Sequence, residues 1–233
     1  MLNYIKSNLG VGNINLEKKS NMANYKITKL EHIGKYIIPL FDKYPLLTSK
    51  QYNYERFKKA YNILINNKLT NLEKNSKLNE LKLLKANLSY ISPVFNISLN
   101  DLKNIENIKK ISNVLTKPWI IGFIEAEGSF YITKKDINRY EMGFGITQKL
   151  DSHILYCLKY LLNLNSNIRK REKHNYYILD TTYKIDILNI IDYFQNSMKG
   201  IKSFEFKIWS KCIKKTNSEK LEIQRILRKM KNN

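Results

Sequence analysis

Cysteine, proline, glycine and histidine are all scarce in this chain of 233 residues, which holds two, four, eight and three of them. Two cysteines cannot make the disulfide framework that staples small secreted domains. Cys157 and Cys212 both sit in apolar helical patterns, where a buried free thiol is the expected state. His32, His153 and His174 have no cysteine or histidine partner at zinc-ligand spacing, so no structural zinc is expected. No apolar run approaches the ~20 residues of a membrane span, and no secretory signal pattern opens the chain. The expectation is a soluble protein of a reducing compartment with no membrane partner. The largest deficit is of negative charge: 20 Asp+Glu stand against 41 Lys+Arg, a formal net charge of +21. That excess argues against an enzyme of small neutral substrates.

Hydrophobic residues make up 43% of the chain and aromatics 12%, enough to bury a core, so the charge does not signal a disordered polycation. The length accommodates two domains of roughly 100 residues. A polyanion is the natural partner of such a surface, because neutralised phosphates release counterions and drive binding regardless of sequence. Nucleic acid leads; an anionic membrane fits less well, since the positive charges are spread along the chain and not gathered on one amphipathic helix. Heavy use of Asn, Lys, Ile and Tyr with little Ala, Gly or Pro matches AT-rich coding and hints at an organellar genome.

The chain repeats itself. Lys50, Tyr52, Tyr54 and Phe57 recur in type and spacing as Lys202, Phe204, Phe206 and Trp209, while Ile37, Ile38 and Phe41 correspond to Ile190, Ile191 and Phe194. Further back, the helix-like run from Leu2 to Leu9, followed by Gly10 and Gly12, resembles Leu155 to Leu162 followed by Asn163 and Asn165. Each copy continues into two short strands, in the second copy 167–173 and 176–182 with a turn near His174 and Asn175. The competing reading is chance similarity within a biased composition. Between the copies, 70–90 is a candidate helix with Leu81, Leu84 and Leu88 on one stripe, and 91–116 reads as a polar connector around Pro93.

The segment with chemical promise is 116–135. Thr116 can cap a helix that Pro118 starts, and Gly128 ends it before an alternating strand from Ser129 to Lys135. Gly122 and Ala126 leave one helix face bare enough for another helix to approach closely. Glu127 falls in the last turn, where the helix dipole disfavours a carboxylate. A bound Mg²⁺ would relieve that cost; the alternative is an exposed glutamate that happens to precede a capping glycine.

Residues 120–128, Ile-Ile-Gly-Phe-Ile-Glu-Ala-Glu-Gly, resemble the nine-residue motif that names the LAGLIDADG family of homing endonucleases and intron maturases. Gly122, Ile124, Ala126 and Gly128 are identical to it; Ile120, Phe123, Glu125 and Glu127 are close replacements; Ile121 departs. The run from Gly143 to Gln148 resembles the family's second strand, and the helix at 151–162, the hairpin at 167–182, the helix at 185–194 and the Lys202 segment resemble the rest of its unit. Residues 1–66 resemble the latter part of the same unit.

The resemblance implies an α+β fold of tandem αββαββα units with antiparallel, saddle-shaped sheets, arranged as a truncated first unit (1–90), a connector (91–116) and a complete second unit (117–233). It implies that Glu127 binds the metal, that Gln148 holds a solvent or metal-shell water, and that Lys202, with its counterpart Lys50, is a basic residue beside the scissile phosphate. Gly122, Ala126, Gly128 and Glu125 then belong to the packing of the motif helix. Alternation along the strand turns Ser129, Tyr131, Thr133 and Lys135 toward a DNA groove, with Arg139, Arg169 and Arg171 as further candidates for base contact; solvated surface residues are the competing reading. The basic tail 220–231 reads as a solvated or phosphate-touching helix. By the same resemblance the protein is an organellar, mitochondrial, Mg²⁺-dependent site-specific endonuclease of double-stranded DNA. An RNA maturase for a group I intron, or a DNA-binding remnant without cleavage, are the alternatives. The first copy lacks the motif helix and hairpin, which would fall within about 35 residues before Met1. A short reading frame or translation in frame with an upstream exon is favoured over a remnant or a homodimer, and a chain with both halves is expected to act as a monomer.

Overall fold

The structure, a computed structural model, describes residues 2–17, 22–87, 90–98, 100 and 104–232. It divides into two compact units, 1–96 and 97–233. In the first, α1 (Leu2–Leu9) leads into an antiparallel hairpin of β1 (Asn13–Glu17) and β2 (Met22–Lys26), registered Ile14 to Tyr25 and Leu16 to Ala23. The chain then winds through α2 (Leu30–His32), one π-helical turn (Ile33–Ile37) and α3 (Ile38–Lys43), followed by α4 (Lys50–Ile65) and α5 (Asn71–Leu83). Ile33, Leu47, Tyr54 and Phe95 form the buried core of this unit. The Tyr54 hydroxyl lies 2.6 Å from Asp42 Oδ1 and 2.9 Å from the Ile38 carbonyl, which fastens α4 to α3.

A capping box at Thr70 and Glu73 starts α5, which stops at Leu83. The stripe expected over 70–90 is thus shorter than its sequence pattern: Leu84 is the C-cap residue and 46% exposed, and Leu88 lies outside the described residues. The span read as a polar connector contains α6 (Ile105–Ser112), whose Ile108 and Ile111 are buried.

The second unit continues with α7 (Lys117–Glu127), β3 (Gly128–Asp136), β4 (Arg139–Gln148), α8 (Ser152–Leu161), β5 (Arg169–Arg171), β6 (Tyr176–Thr181), α9 (Lys184–Phe194), α10 (Lys202–Ser210) and α11 (Asn217–Asn232). Its four strands form one antiparallel sheet in the order β3-β4-β6-β5. The fold is therefore α+β with open antiparallel sheets, as the resemblance implied, and α7 to α9 trace the αββαββα order.

One face of this sheet carries the core. Phe130 pairs with Phe144 and Ile132 with Met142, all buried, and Phe130 packs on Trp209 and Phe206 at ring separations of 4.9 and 5.3 Å. Edge strand β3 is held by the helices packed on it: Trp209 Nε1 donates to the Tyr131 carbonyl at 3.0 Å and Gln224 Nε2 to the Ile132 carbonyl at 2.6 Å. Side chains of α10 and α11 are thus tied to the backbone of the edge strand. Residues 220–231 are helical, as expected, but through Gln224 and Leu227, both buried, one side of α11 is part of the core, so the helix is not solvated all round.

Asp186 is buried at the start of α9 and accepts hydrogen bonds from Asn165 N and Nδ2, Ser166 N and Oγ, and Thr181 Oγ1 at 2.8–3.3 Å. It ties the loop after α8 and the end of β6 to one helix. Burial by itself would raise this carboxyl, but the bonds from Asn165, Thr181 and Ser166 outweigh it and hold it below the ordinary aspartate value. Cys157 and Cys212 are both buried free thiols, and burial pushes them up to about 12 and about 11. Neither is expected to react with iodoacetamide at about pH 8 in the folded protein, and both should be alkylated in denaturant; mass spectrometry of the two samples reads the difference.

Candidate active site and nucleic-acid face

At one end of the sheet, side chains from α7, β4 and α10 converge. Thr116 caps α7 through the Trp119 N–H, and Gly128 closes the helix with φ −73°, an ordinary backbone value. Space is what demands the glycine: a Cβ at 128 would stand 2.8 Å from the Ile124 carbonyl. The helix turns directly into β3 and leaves Glu127 exposed at the corner. Gln148, the last residue of β4, donates from Nε2 to Glu127 Oε2 at 3.2 Å. Lys202, the first residue of α10, donates from Nζ to the Gly128 carbonyl at 2.6 Å, one residue from Glu127. Glu125 is turned elsewhere. Its Oε1 accepts from the backbone N–H groups of Lys199 and Gly200 at 2.5 and 2.8 Å, which anchors to α7 the loop that presents Lys202.

Lys50 occupies the corresponding place in the first unit: it too is the first residue of its helix, and it is exposed. The aromatics that follow the two lysines diverge in burial. Tyr54 and Phe206 are both buried, but Phe57 is 41% exposed where Trp209 is fully buried.

The donors at Glu127 suit a hard divalent cation. They are oxygen donors at an exposed position, and Oε1 takes none of the hydrogen bonds found among the described residues. A cation would also offset the cost of about 0.3–1 kcal/mol that a helix C-terminus imposes on a carboxylate. Among the described residues no three His, Cys, Asp or Glu side chains gather into an ion cage. An ion held here therefore needs further oxygens, from water, phosphate or a second carboxylate.

Along α7, Gly122 and Ala126 are exposed, and a Cβ added at Gly122 would meet nothing within 4 Å. Within its unit, this face of the helix is open to a close neighbour.

The sheet face opposite the core carries the candidates for base contact. Alternation with buried Phe130 and Ile132 puts Ser129, Tyr131 and Thr133 there, opposite Gly145, Gly143 and Glu141 of β4. Asp180 lies opposite Gly145 on the same face, and Arg169 and Arg171 lie opposite Ile178 and Tyr176. The Tyr131 ring lies over Gly143, where a Cβ would come within 2.2 Å of it. Three of the expected basic residues are not bare. Lys135 Nζ and Arg139 Nε lie 3.8 and 3.6 Å from the Glu141 carboxylate, and Arg169 Nη2 bonds Asp180 Oδ1 at 2.6 Å. Burial first, and the Asp180 charge second, push the Tyr131 phenol up, with Arg169 acting the other way. Glu141 and Asp180 were not picked out from the sequence. Their strand positions on the face of Thr133 and Gly145 were the only available sign.

The sequence matches the profile of the LAGLIDADG endonucleases over residues 1–61 and 120–213. Over 239 aligned residues it is 41% identical to the probable intron-encoded endonuclease Cox1-I1b of Schizosaccharomyces pombe, covering 100% of this chain and 58% of that protein. Over 129 residues it is 36% identical to the uncharacterized mitochondrial protein RF1 of Saccharomyces cerevisiae, covering 54% of this chain and 23% of that one. Among solved structures, the LAGLIDADG meganuclease I-CpaMI bound to uncleaved DNA superposes with a TM-score of 0.72 at 25% identity, covering 100% of this chain and 83% of that chain. The chain thus spans little more than half the length of its Schizosaccharomyces relative, and less of RF1.

Proposed function

The chain belongs to the LAGLIDADG endonuclease family, and on that premise we propose that it provides one half of the active site of an intron-encoded endonuclease that cuts double-stranded DNA at a specific sequence. The observation that carries this reading is the convergence of Glu127, Gln148 and Lys202 from three separate elements on one corner of the sheet. In this reading Glu127 would hold a divalent cation, Mg²⁺ by the hardness of its donors, and Gln148 would orient the carboxylate through its bond to Oε2. The bound ion would lower the pKa of its water and stabilise the charge that develops on the phosphate. Lys202, held at the Gly128 carbonyl, adds to the stabilisation of that same phosphate. Glu125 sets the height of Lys202 through the loop at 199–200. The name of RF1 and the intron-encoded relatives support a mitochondrial setting.

A second carboxylate would add the oxygens that Glu127 alone lacks, and the open Gly122–Ala126 face is where a second motif helix would bring it. That helix comes from further sequence of the same protein or from a second copy. A Gly122→Leu substitution tests the point. Because the chain itself leaves room at this position, the melting temperature of the chain should stay within about 2 °C of wild type, while cleavage falls by about 100-fold or more through exclusion of the partner helix. Full cleavage by Gly122→Leu would remove the second helix from the account. The proposed activity as a whole is tested by cleavage of duplex DNA with and without Mg²⁺.

A further inference from the structure

Four residues, one from each strand, form a continuous row across the open face of the second sheet: Tyr131 on β3, Gly145 on β4, Asp180 on β6 and Arg169 on β5. Gly145 and Asp180 are direct cross-strand partners, and a Cβ at Gly145 would come 3.3 Å from the Asp180 Cβ and 3.6 Å from Tyr131 Cε1. The glycine is thus the low point of the row, with the phenol ring on one side and the carboxylate on the other. Arg169 sits diagonally from Asp180, two residues along β6 from its own partner Ile178, and the two side chains meet at 2.6 Å. Arg169 keeps 52% of its side chain exposed and Asp180 30%, so the guanidinium is the outer member of the pair and the carboxylate the inner.

On a face that meets DNA an acid is electrostatically out of place, because it repels the phosphates that a chain of charge +21 otherwise attracts. A compensating role follows from the geometry of the arginine. Reading a guanine through O6 and N7 takes two donors of a guanidinium in one plane. A free arginine must be ordered for that contact at the moment of binding, whereas one already held by a carboxylate is ordered beforehand.

We propose that Asp180 is a positioning residue for DNA recognition: it holds the Arg169 guanidinium in the plane in which it reads a guanine of the target, trading non-specific affinity for selectivity at that base pair. The inference rests on the proposed DNA-binding function and adds to it a residue outside the set expected from the sequence. Arg169 touches the base; Asp180 acts through Arg169.

The test is selection from a library of randomised duplexes by the wild-type chain, without divalent cation so that bound duplexes stay intact, followed by sequencing. The wild type should prefer guanine at one position, and Arg169→Ala should lose that preference by roughly 10-fold or more. Asp180→Ala should weaken it at the same position by about fivefold and at no other, while binding to an unselected duplex stays equal or becomes tighter. Asp180→Asn, which keeps an acceptor at the same place and guards against misfolding, should fall between. Tighter non-specific binding together with a single flattened position is a result that a purely structural aspartate would not give. A profile unchanged in both Asp180 variants, or flattened evenly at all positions, or altered at a position Arg169→Ala leaves alone, overturns the inference. A wild-type chain that selects no sequence overturns the proposed function itself, and the inference with it.

Discussion

Replacement of Glu127 by Gln is expected to reduce DNA cleavage by about 10³-fold or more while duplex affinity stays within about threefold of wild type. The substitution is nearly isosteric and removes one negative charge at an exposed corner, so the fold has no reason to respond. The site does respond. A neutral amide is a poor ligand for a hard divalent cation, and the hydrogen bond from Gln148 at 3.2 Å loses its charged acceptor. Single-turnover cleavage and a binding isotherm, measured on the same preparation, separate the two effects. The same variant divides the possible activities, because assistance to intron splicing needs the basic surface and not the carboxylate. Cleavage that persists in Glu127→Gln would place the metal elsewhere.

The second large effect concerns stability. Asp186→Ala removes a buried carboxylate and leaves the donors of Asn165, Ser166 and Thr181 without their acceptor. The expected loss is about 3–5 kcal/mol, which thermal unfolding of the second unit would report as a fall of about 10–15 °C. Asp186→Asn should cost less, since its carbonyl still accepts. The pH dependence has a fixed sign. The folded carboxyl is held below its ordinary value of 3.8, so its stabilisation is complete above that value and is lost as pH falls through the depressed one. Wild type should therefore lose stability on acidification below about pH 4 more steeply than Asp186→Ala, which has no such group to protonate. Parallel acid titrations of the two proteins would exclude this role for Asp186 if their slopes coincide.

How much of this is legible in the sequence depends on whether an interaction is local. The α7 helix and its turn into β3 are visible because Thr116, Pro118 and Gly128 mark both ends and Phe130 and Ile132 alternate with Tyr131 and Thr133. The likeness of Lys50 to Lys202 is visible because the aromatic spacing around them repeats. The pairing of Glu127 with Gln148 joins residues 21 apart; the helix dipole pointed to Glu127, but only the family resemblance directed attention to Gln148. Asp186 is different in kind. It reads as an ordinary first-turn acid on an amphipathic helix, and its partners at 165, 166 and 181 are identified only when the loop folds over it. Asp180 was hidden by the same cause, since its partner Arg169 lies on the neighbouring strand. The burial of Gln224 and Leu227 was masked by the basic residues around them, which occupy the other side of the same helix. The π-helical turn at Ile33–Ile37 has no sequence signal that distinguishes it from the α-helical turns on either side.

The most direct test of the central claim is end mapping on duplex DNA. The chain, by itself and within any longer protein that carries it, would be incubated with a plasmid library of randomised inserts and Mg²⁺, and the broken ends sequenced. The account predicts breaks at one sequence, dependent on Mg²⁺ and absent with Glu127→Gln. Failure of both proteins to break DNA, or breaks that are unselective or indifferent to Glu127, would contradict it.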